Sequence, residues 1–171
     1  MGPCRGGAVI ARSLAVDRRT ADPEEAMLAG LIHDAGRLVL NLLMPEHYEP
    51  VMRSIYNREG ASTEIERRAF GFDHALVGRL VLEKWNFPDD LIRAVERHHE
   101  DLAGMDALTR TVRATDELLW LMGFGVREAT EPPSVMPPAL AAFGYTLEDL
   151  SAQEEHLRAA VHSGNEFFGQ V

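Results

Sequence analysis

The sequence predicts an all-α protein, a compact array of roughly eight helices. Three observations carry this. Ala, Leu and Glu are plentiful while aromatic residues make up only 7% of the chain, a composition that leans towards helix. Apolar residues recur at helical spacing between clear start and stop signals. No stretch of useful length alternates apolar and polar residues as a half-buried strand would, and no internal repeat is visible.

The elements follow in order. Ala8 to Arg18 reads as a helix, with Val9, Ile10, Leu14 and Val16 apolar. Asp22-Pro23-Glu24-Glu25 is a start signal: Asp22 can accept from free amides and Pro23 fits the first helical position. The helix it opens runs to Asp34, is apolar almost all round and should be central; Arg37 to Leu43 continues apolar up to Pro45. His47 to Asn57 is amphipathic. Thr63-Glu64-Ile65-Glu66 has the form of a capping box opening a short charged helix to Phe70. Asp73 caps a helix from His74 to Trp85, Pro88 opens another from Asp89 to His99, and Asp106 to Met122 forms the next. A proline-rich stretch follows, then a short turn of helix at Thr146 and a final helix behind Ser151-Ala152-Gln153-Glu154. The expected organisation is a helical core over residues 1–128, a connector over 129–145 and a C-terminal helix over 146–171 that packs on the core.

Composition bounds the function. The chain has 171 residues, 46% of them hydrophobic, which suits one domain with a real core. Its net charge of −10 argues against a general nucleic-acid binder, which needs a basic face, and suits a protein that meets cations, small ligands or other proteins. The single cysteine, Cys4, forbids an internal disulfide and points to a reducing, cytoplasmic setting. No apolar run is read as approaching the ~20 residues of a membrane span. The start, Met1 to Gly7, lacks a signal-peptide layout and reads as the edge of a fragment.

Metal-capable side chains in apolar settings concentrate at His33-Asp34, His74, His98-His99 and Asp116. Neighbours on a helix point about 100° apart, so His33 and Asp34 share an ion only if the helix ends there, or hold two ions with the carboxylate between them. Nitrogen and oxygen donors suit Fe, Mn, Ni or Zn, and a carboxylate-rich set suits Mg or Mn. Each residue also has a structural reading: a buried His on a backbone carbonyl, a helix-end His pair favoured by the dipole, a first-turn His, and a buried carboxylate that needs a partner.

The order His-Asp, His, His-His, Asp on separate helices is more specific than any member. With it the chain resembles the HDOD branch of the HD-domain superfamily, the HD-related output domain of bacterial signalling proteins. The resemblance is carried by Ala29-Gly30-Leu31-Ile32-His33-Asp34-Ala35-Gly36-Arg37-Leu38, Phe70-Gly71-Phe72-Asp73-His74-Ala75-Leu76-Val77-Gly78, Trp85-Asn86-Phe87-Pro88 with His98-His99, and Ala114-Thr115-Asp116 with Gly123-Phe124-Gly125. Leu147-Glu148-Asp149-Leu150 is also similar. The resemblance implies an HD-domain-like helical array. It also implies a divalent ion (Fe, Mn, Mg, Ni or Zn) held by the residues matching the family's ligands: the doublet His33 and Asp34, the added His74, the pair His98 and His99, and the late Asp116.

The departures are equally specific. HD enzymes carry a histidine on the preceding helix, and its place near Pro3-Cys4 holds none. Arg37 stands where HD-GYP phosphodiesterases have lysine, no Gly-Tyr-Pro follows Glu100, and most of the usual N-terminal lobe is missing. The expected function is therefore a non-catalytic regulatory module with a relict or metal-binding site, working beside other signalling proteins or domains. The alternative is a metal-dependent phosphohydrolase or phosphodiesterase acting on a nucleotide or cyclic dinucleotide, with Asp34 and Arg37 in catalytic roles. Beneath both lies a polar network in which the histidines and Asp116 satisfy one another. Loss of the lobe should leave apolar surface on the first helices, which predicts a homodimer or a missing partner segment.

Overall fold

The computed structural model describes residues 3–123, 135–150, 155, 158, 159 and 161, with side chains from residue 6 onward. Several expectations lie outside it: the side chains at Pro3 and Cys4, residues Phe124 and Gly125, and the start of the final helix at 151–154. The described residues form a compact array of nine helices and contain no strand. They are α1 (Pro3–Arg18), α2 (Pro23–Ile32), α3 (Ala35–Leu43), α4 (Pro45–Tyr56), α5 (Ser62–Phe70), α6 (His74–Lys84), α7 (Asp89–Arg97), α8 (Ala107–Leu121) and α9 (Pro138–Ala142).

Helices α1 and α2 make the most extensive contact, α8 lies across both, and α7 packs on α2, α6 and α8. Two glycines explain the α1–α2 crossing. A Cβ on Gly7 would lie 2.3 Å from the Gly30 carbonyl oxygen, and one on Gly30 would lie 2.4 Å from the Gly7 carbonyl oxygen. The glycine-rich start, expected to precede α1, is therefore part of it, because only a bare backbone admits this approach. Small side chains continue the seam: Ala11, Ala15, Ala26 and Ala29 are buried together with Leu91, Ala94, Leu108 and Val112.

The start signals act as expected at two helices, and at a third Asp106, expected as the first helical residue, is the cap before Ala107. Asp22 accepts from the amides of Glu24 and Glu25, Asp73 from Leu76, and Asp106 from Thr109. The Thr63 capping box does not form. The N-cap is Ala61 instead of Thr63, so α5 begins at Ser62, two residues earlier than the box requires; Glu66 then sits where the helical amides are already paired, and its side chain turns into the core.

Two further expectations are corrected. Residues Pro23–Leu43 have the length and mean hydropathy, 1.3, that pass for a membrane span. They fold as two packed helices broken at His33-Asp34, and they bury Asp34 and Arg37. The connector contains α9, whose first turn is capped by Glu117: its carboxylate accepts from the amides of Ala139 and Leu140. Ala139, Leu140, Phe143 and Tyr145 close a cluster with Ile10, Leu14, Leu118 and Leu119. Burying each of those leucines and the isoleucine contributes about 1.5–3 kcal/mol. Apolar exposure is found on α3 and α6, at Leu38, Leu42, Leu43 and Leu80, while α1 buries Ile10 and Leu14 and exposes Val16.

Candidate metal centre

Four chain segments converge behind the α1–α2 seam. Helix α2 ends at Ile32; His33 follows as its C-cap, and Asp34 has φ −97° and ψ 14° before α3 begins. The doublet thus lies at a helix break, the one arrangement in which neighbouring side chains can turn to a common point. The break lets α3 lean on α6, since Gly36 meets the carbonyl of His74 with no room for a side chain. That contact brings His74, first residue of α6, next to Asp34: His74 Nε2 lies 3.2 Å from Asp34 Oδ1. Helix α7 ends at Arg97 and delivers His98 and His99, and α8 brings Asp116 from the far side.

One donor atom from each of Asp34, His74, His98 and His99 lies within 4.8 Å of the others. His74 Nε2 and His99 Nε2 are 3.0 Å apart, and the His98 and His99 ring centroids are 4.0 Å apart. His33 and Asp116 border this group. The His33 ring stands edge-on to His98 at 5.4 Å, with its Nε2 3.7 Å from Asp34 Oδ2. Asp116 Oδ2 lies 3.6 Å from His99 Nδ1 and keeps 31% of its side chain exposed, which makes it the most exposed of the six. All six candidates from the sequence are therefore neighbours, four in the compact group and two beside it.

Hydrogen bonding decides which ring atoms face the group. His33 Nδ1 lies 2.8 Å from the Gly30 carbonyl and His98 Nδ1 2.6 Å from the Val95 carbonyl. A carbonyl only accepts, so each ring carries a proton on Nδ1 and turns Nε2 away from its own helix, and the neutral ring of His98 leaves a lone pair there. Both Nε2 atoms are buried without a hydrogen-bond partner. Unpaired buried nitrogens are costly, and two of them beside a carboxylate and two more imidazoles fit a cation. This donor set of nitrogen plus one carboxylate fits the divalent ion the resemblance implies.

Electrostatics sharpen the picture. Burial alone would raise Asp34, but Arg37, His33 and His74 outweigh it and hold the carboxyl well below its ordinary range. Burial and Arg37 pull His74 down, yet its hydrogen bonds to Asp34 and Glu66 prevail and raise it. Burial, joined by neighbouring imidazoles, holds His98 and His99 well below the usual value, so both are neutral at pH 7. Desolvation, reinforced by Asp34, raises Asp116.

Arg37, given a catalytic role in the phosphohydrolase alternative, has its fork committed inside the protein. Its Nε donates to Asp34 Oδ1 at 2.9 Å, one terminal nitrogen to Glu66 Oε1 at 3.1 Å and the other to Ser62 Oγ at 3.1 Å. Glu66 and Tyr48 are the residues sequence reasoning missed. Glu66, wholly buried, accepts from Arg37, from Tyr48 Oη at 2.8 Å, and from both the backbone amide and the ring of His74. Burial is offset by His74 and Arg37, so the Glu66 carboxyl lies below its ordinary value. The signal that could have found it is Ile65-Glu66 itself, a charge beside an apolar anchor in a helix otherwise charged on its outer face.

The profile of the HDOD domain matches residues 5–101, more than half of the chain. No curated protein matches the chain significantly. Among solved structures, an HDOD domain protein from Geobacter sulfurreducens superposes with a TM-score of 0.77 at 22% identity, covering 95% of this chain and 61% of its own. A candidate signal-transduction protein from Marinobacter aquaeolei VT8 gives 0.76 at 21% identity, covering 99% of this chain and 39% of its own. A candidate phosphohydrolase from Shewanella amazonensis SB2B gives 0.71 at 17% identity, covering 96% and 61%. The chain thus spans less than two thirds of each of these proteins, and at these identities they share its fold. The profile rests on the segment that carries His33, Asp34, His74, His98 and His99, and by that match the chain belongs to the HDOD family.

Proposed function

We propose that this HDOD domain is a non-catalytic signalling module that holds one divalent ion through Asp34, His74, His98 and His99. The observation that carries the reading is the buried, unpaired Nε2 of His98, fixed by its Nδ1 contact to Val95 and placed among three other donors. Three imidazoles and one carboxylate favour Zn, Fe, Mn or Ni over Mg, which prefers an all-oxygen set. A bound ion supplies positive charge that ties the α2–α3 break, the start of α6 and the end of α7 together. That junction is where a signalling state could be set, and its output would pass to another signalling protein or domain.

Catalysis needs more than a held ion, because a phosphate in flight also needs free positive charge at the site. Here the cation beside the donors, Arg37, is 9% exposed and already engaged. The test is metal content after purification without chelator, followed by assays on cyclic nucleotides, cyclic dinucleotides and nucleoside phosphates with added Mn, Fe, Zn or Mg. The expected result is stoichiometric metal, lost in Asp34→Ala, and no turnover. Turnover abolished by Asp34→Ala would instead make the chain a phosphohydrolase. Absence of metal under every condition would reduce the site to a polar core network.

A further inference from the structure

Three buried histidines turn Nε2 towards the donor group, and each needs something to hold Nδ1. His33 and His98 use the carbonyl three residues back on their own helix. His74 cannot. It is the first residue of α6, and no helical carbonyl stands behind it. We infer that Glu66 is the positioning residue for His74, holding the ring from α5 so that Nε2 faces Asp34 and His99 as a ligand atom for the ion; this rests on the metal-binding reading above.

The geometry is specific. Glu66 Oε2 accepts from the His74 amide at 3.0 Å and lies 2.5 Å from His74 Nδ1, so one oxygen grips both the backbone and the ring of the same residue. Glu66 Oε1 is fixed by Tyr48 Oη at 2.8 Å and by Arg37 at 3.1 Å, and Arg37 also holds Asp34. The carboxylate therefore cannot rotate away without breaking contacts to α3 and α4 as well. Its partner differs in kind from those of His33 and His98. A carboxylate behind an imidazole makes the opposite nitrogen a stronger donor than a carbonyl does, and losing such an outer partner typically costs ~10–100-fold in metal affinity. Helix α5 has no residue in the donor group, yet through Glu66 it sets one donor's direction.

The test compares wild type, Glu66→Gln and Glu66→Asp in the full chain. Two readouts are used: Co²⁺ affinity with its visible absorption band, and the ¹H–¹⁵N spectrum of the histidine rings without metal. Glu66→Gln keeps the shape and removes the charge. The expected result is a ~10–100-fold loss of Co²⁺ affinity with a changed absorption band, an intermediate loss in Glu66→Asp, and a downfield, slowly exchanging His74 Hδ1 in wild type that disappears in Glu66→Gln. A merely structural Glu66 would lower the melting temperature and leave affinity and band unchanged; that outcome overturns the assignment. Absence of the Hδ1 signal from wild type overturns it too. Wild type that takes up no Co²⁺ overturns the metal-binding reading itself, and the ligand role of His74 with it. Should Glu66→Gln fail to fold, Tyr48→Phe, which removes a single contact to Oε1, is expected to weaken Co²⁺ binding in the same direction by less; unchanged affinity in both Tyr48→Phe and Glu66→Asp overturns the assignment.

Discussion

Arg37 is the residue on which the buried charges depend. Its guanidinium stands between Asp34 and Glu66, two carboxylates that water hardly reaches, and a planar fork meets both where an ammonium would meet one. On either side lie imidazoles with opposed tendencies, and this gives the metal-free protein a pH dependence of definite sign. His98 and His99 have folded values below the unfolded one, so their contribution is complete above about pH 6.5 and is lost as pH falls, because the unfolded chain takes up protons the folded chain refuses. His74 has a raised value and works the other way, adding stability below about pH 6.5 that is lost as pH rises through its folded value. Asp116, raised by burial, sides with His74, but His98 and His99 are held well below their ordinary value, so the melting temperature in chelator should fall between about pH 7 and pH 5. A second fall should follow below about pH 4, where the unfolded chain takes up protons that the depressed carboxyls of Asp34 and Glu66 still refuse in the fold. Thermal melts across this range check both steps, and a rise on acidification from neutrality would show that His74 and Asp116 dominate.

Among elements, the α3–α6 pair matters most to the site, because α6 carries His74 and its height is set by one backbone contact. A Cβ at Gly36 would fall 1.9 Å from the His74 carbonyl oxygen and 2.8 Å from the Gly78 amide nitrogen, both rigid backbone atoms. Gly36→Ala would gain up to ~1 kcal/mol in helix propensity, but it must push α6 away. The expected net result is destabilisation by about 1–3 kcal/mol or more, accompanied by weaker metal binding because His74 moves with its helix. Urea unfolding and metal titration of the same variant check this; a stabilised variant with full affinity would show that the helices can separate without consequence. The C-terminal elements connect to the same region by a different route. Glu117 caps α9 and also accepts from Arg113, whose other nitrogen donates to the His98 carbonyl at 3.2 Å.

For the whole molecule, an ion that binds only the folded state adds stability by mass action, about 2.7 kcal/mol at a hundredfold excess over its dissociation constant. In a chain of this size that corresponds to a melting temperature about 5–10 °C higher, reversed by chelator. Calorimetry with and without Zn²⁺ reads this directly, and an unchanged melting temperature in wild type would count against the proposed site. What could be read without the structure had local causes. The all-helical class, the starts at Asp22, Asp73 and Asp106 and the grouping of six candidate ligands all follow from residue type and spacing along the chain. Glu66 could not be read in this way. A Thr-x-x-Glu pattern has the same form whether the glutamate caps its own helix or reaches into the core, and the choice was made by where α5 begins and by an arginine, a tyrosine and a histidine on other helices. The sequence by itself determined the helices, their order and the family pattern of donors, because periodicity, caps and motif spacing are properties of neighbouring residues. Only the tertiary structure decided that the doublet sits at a helix break, that Arg37 is engaged inward and that two histidine Nε2 atoms are left unpaired, because each depends on which backbones can touch and what remains to satisfy a buried polar atom once they do.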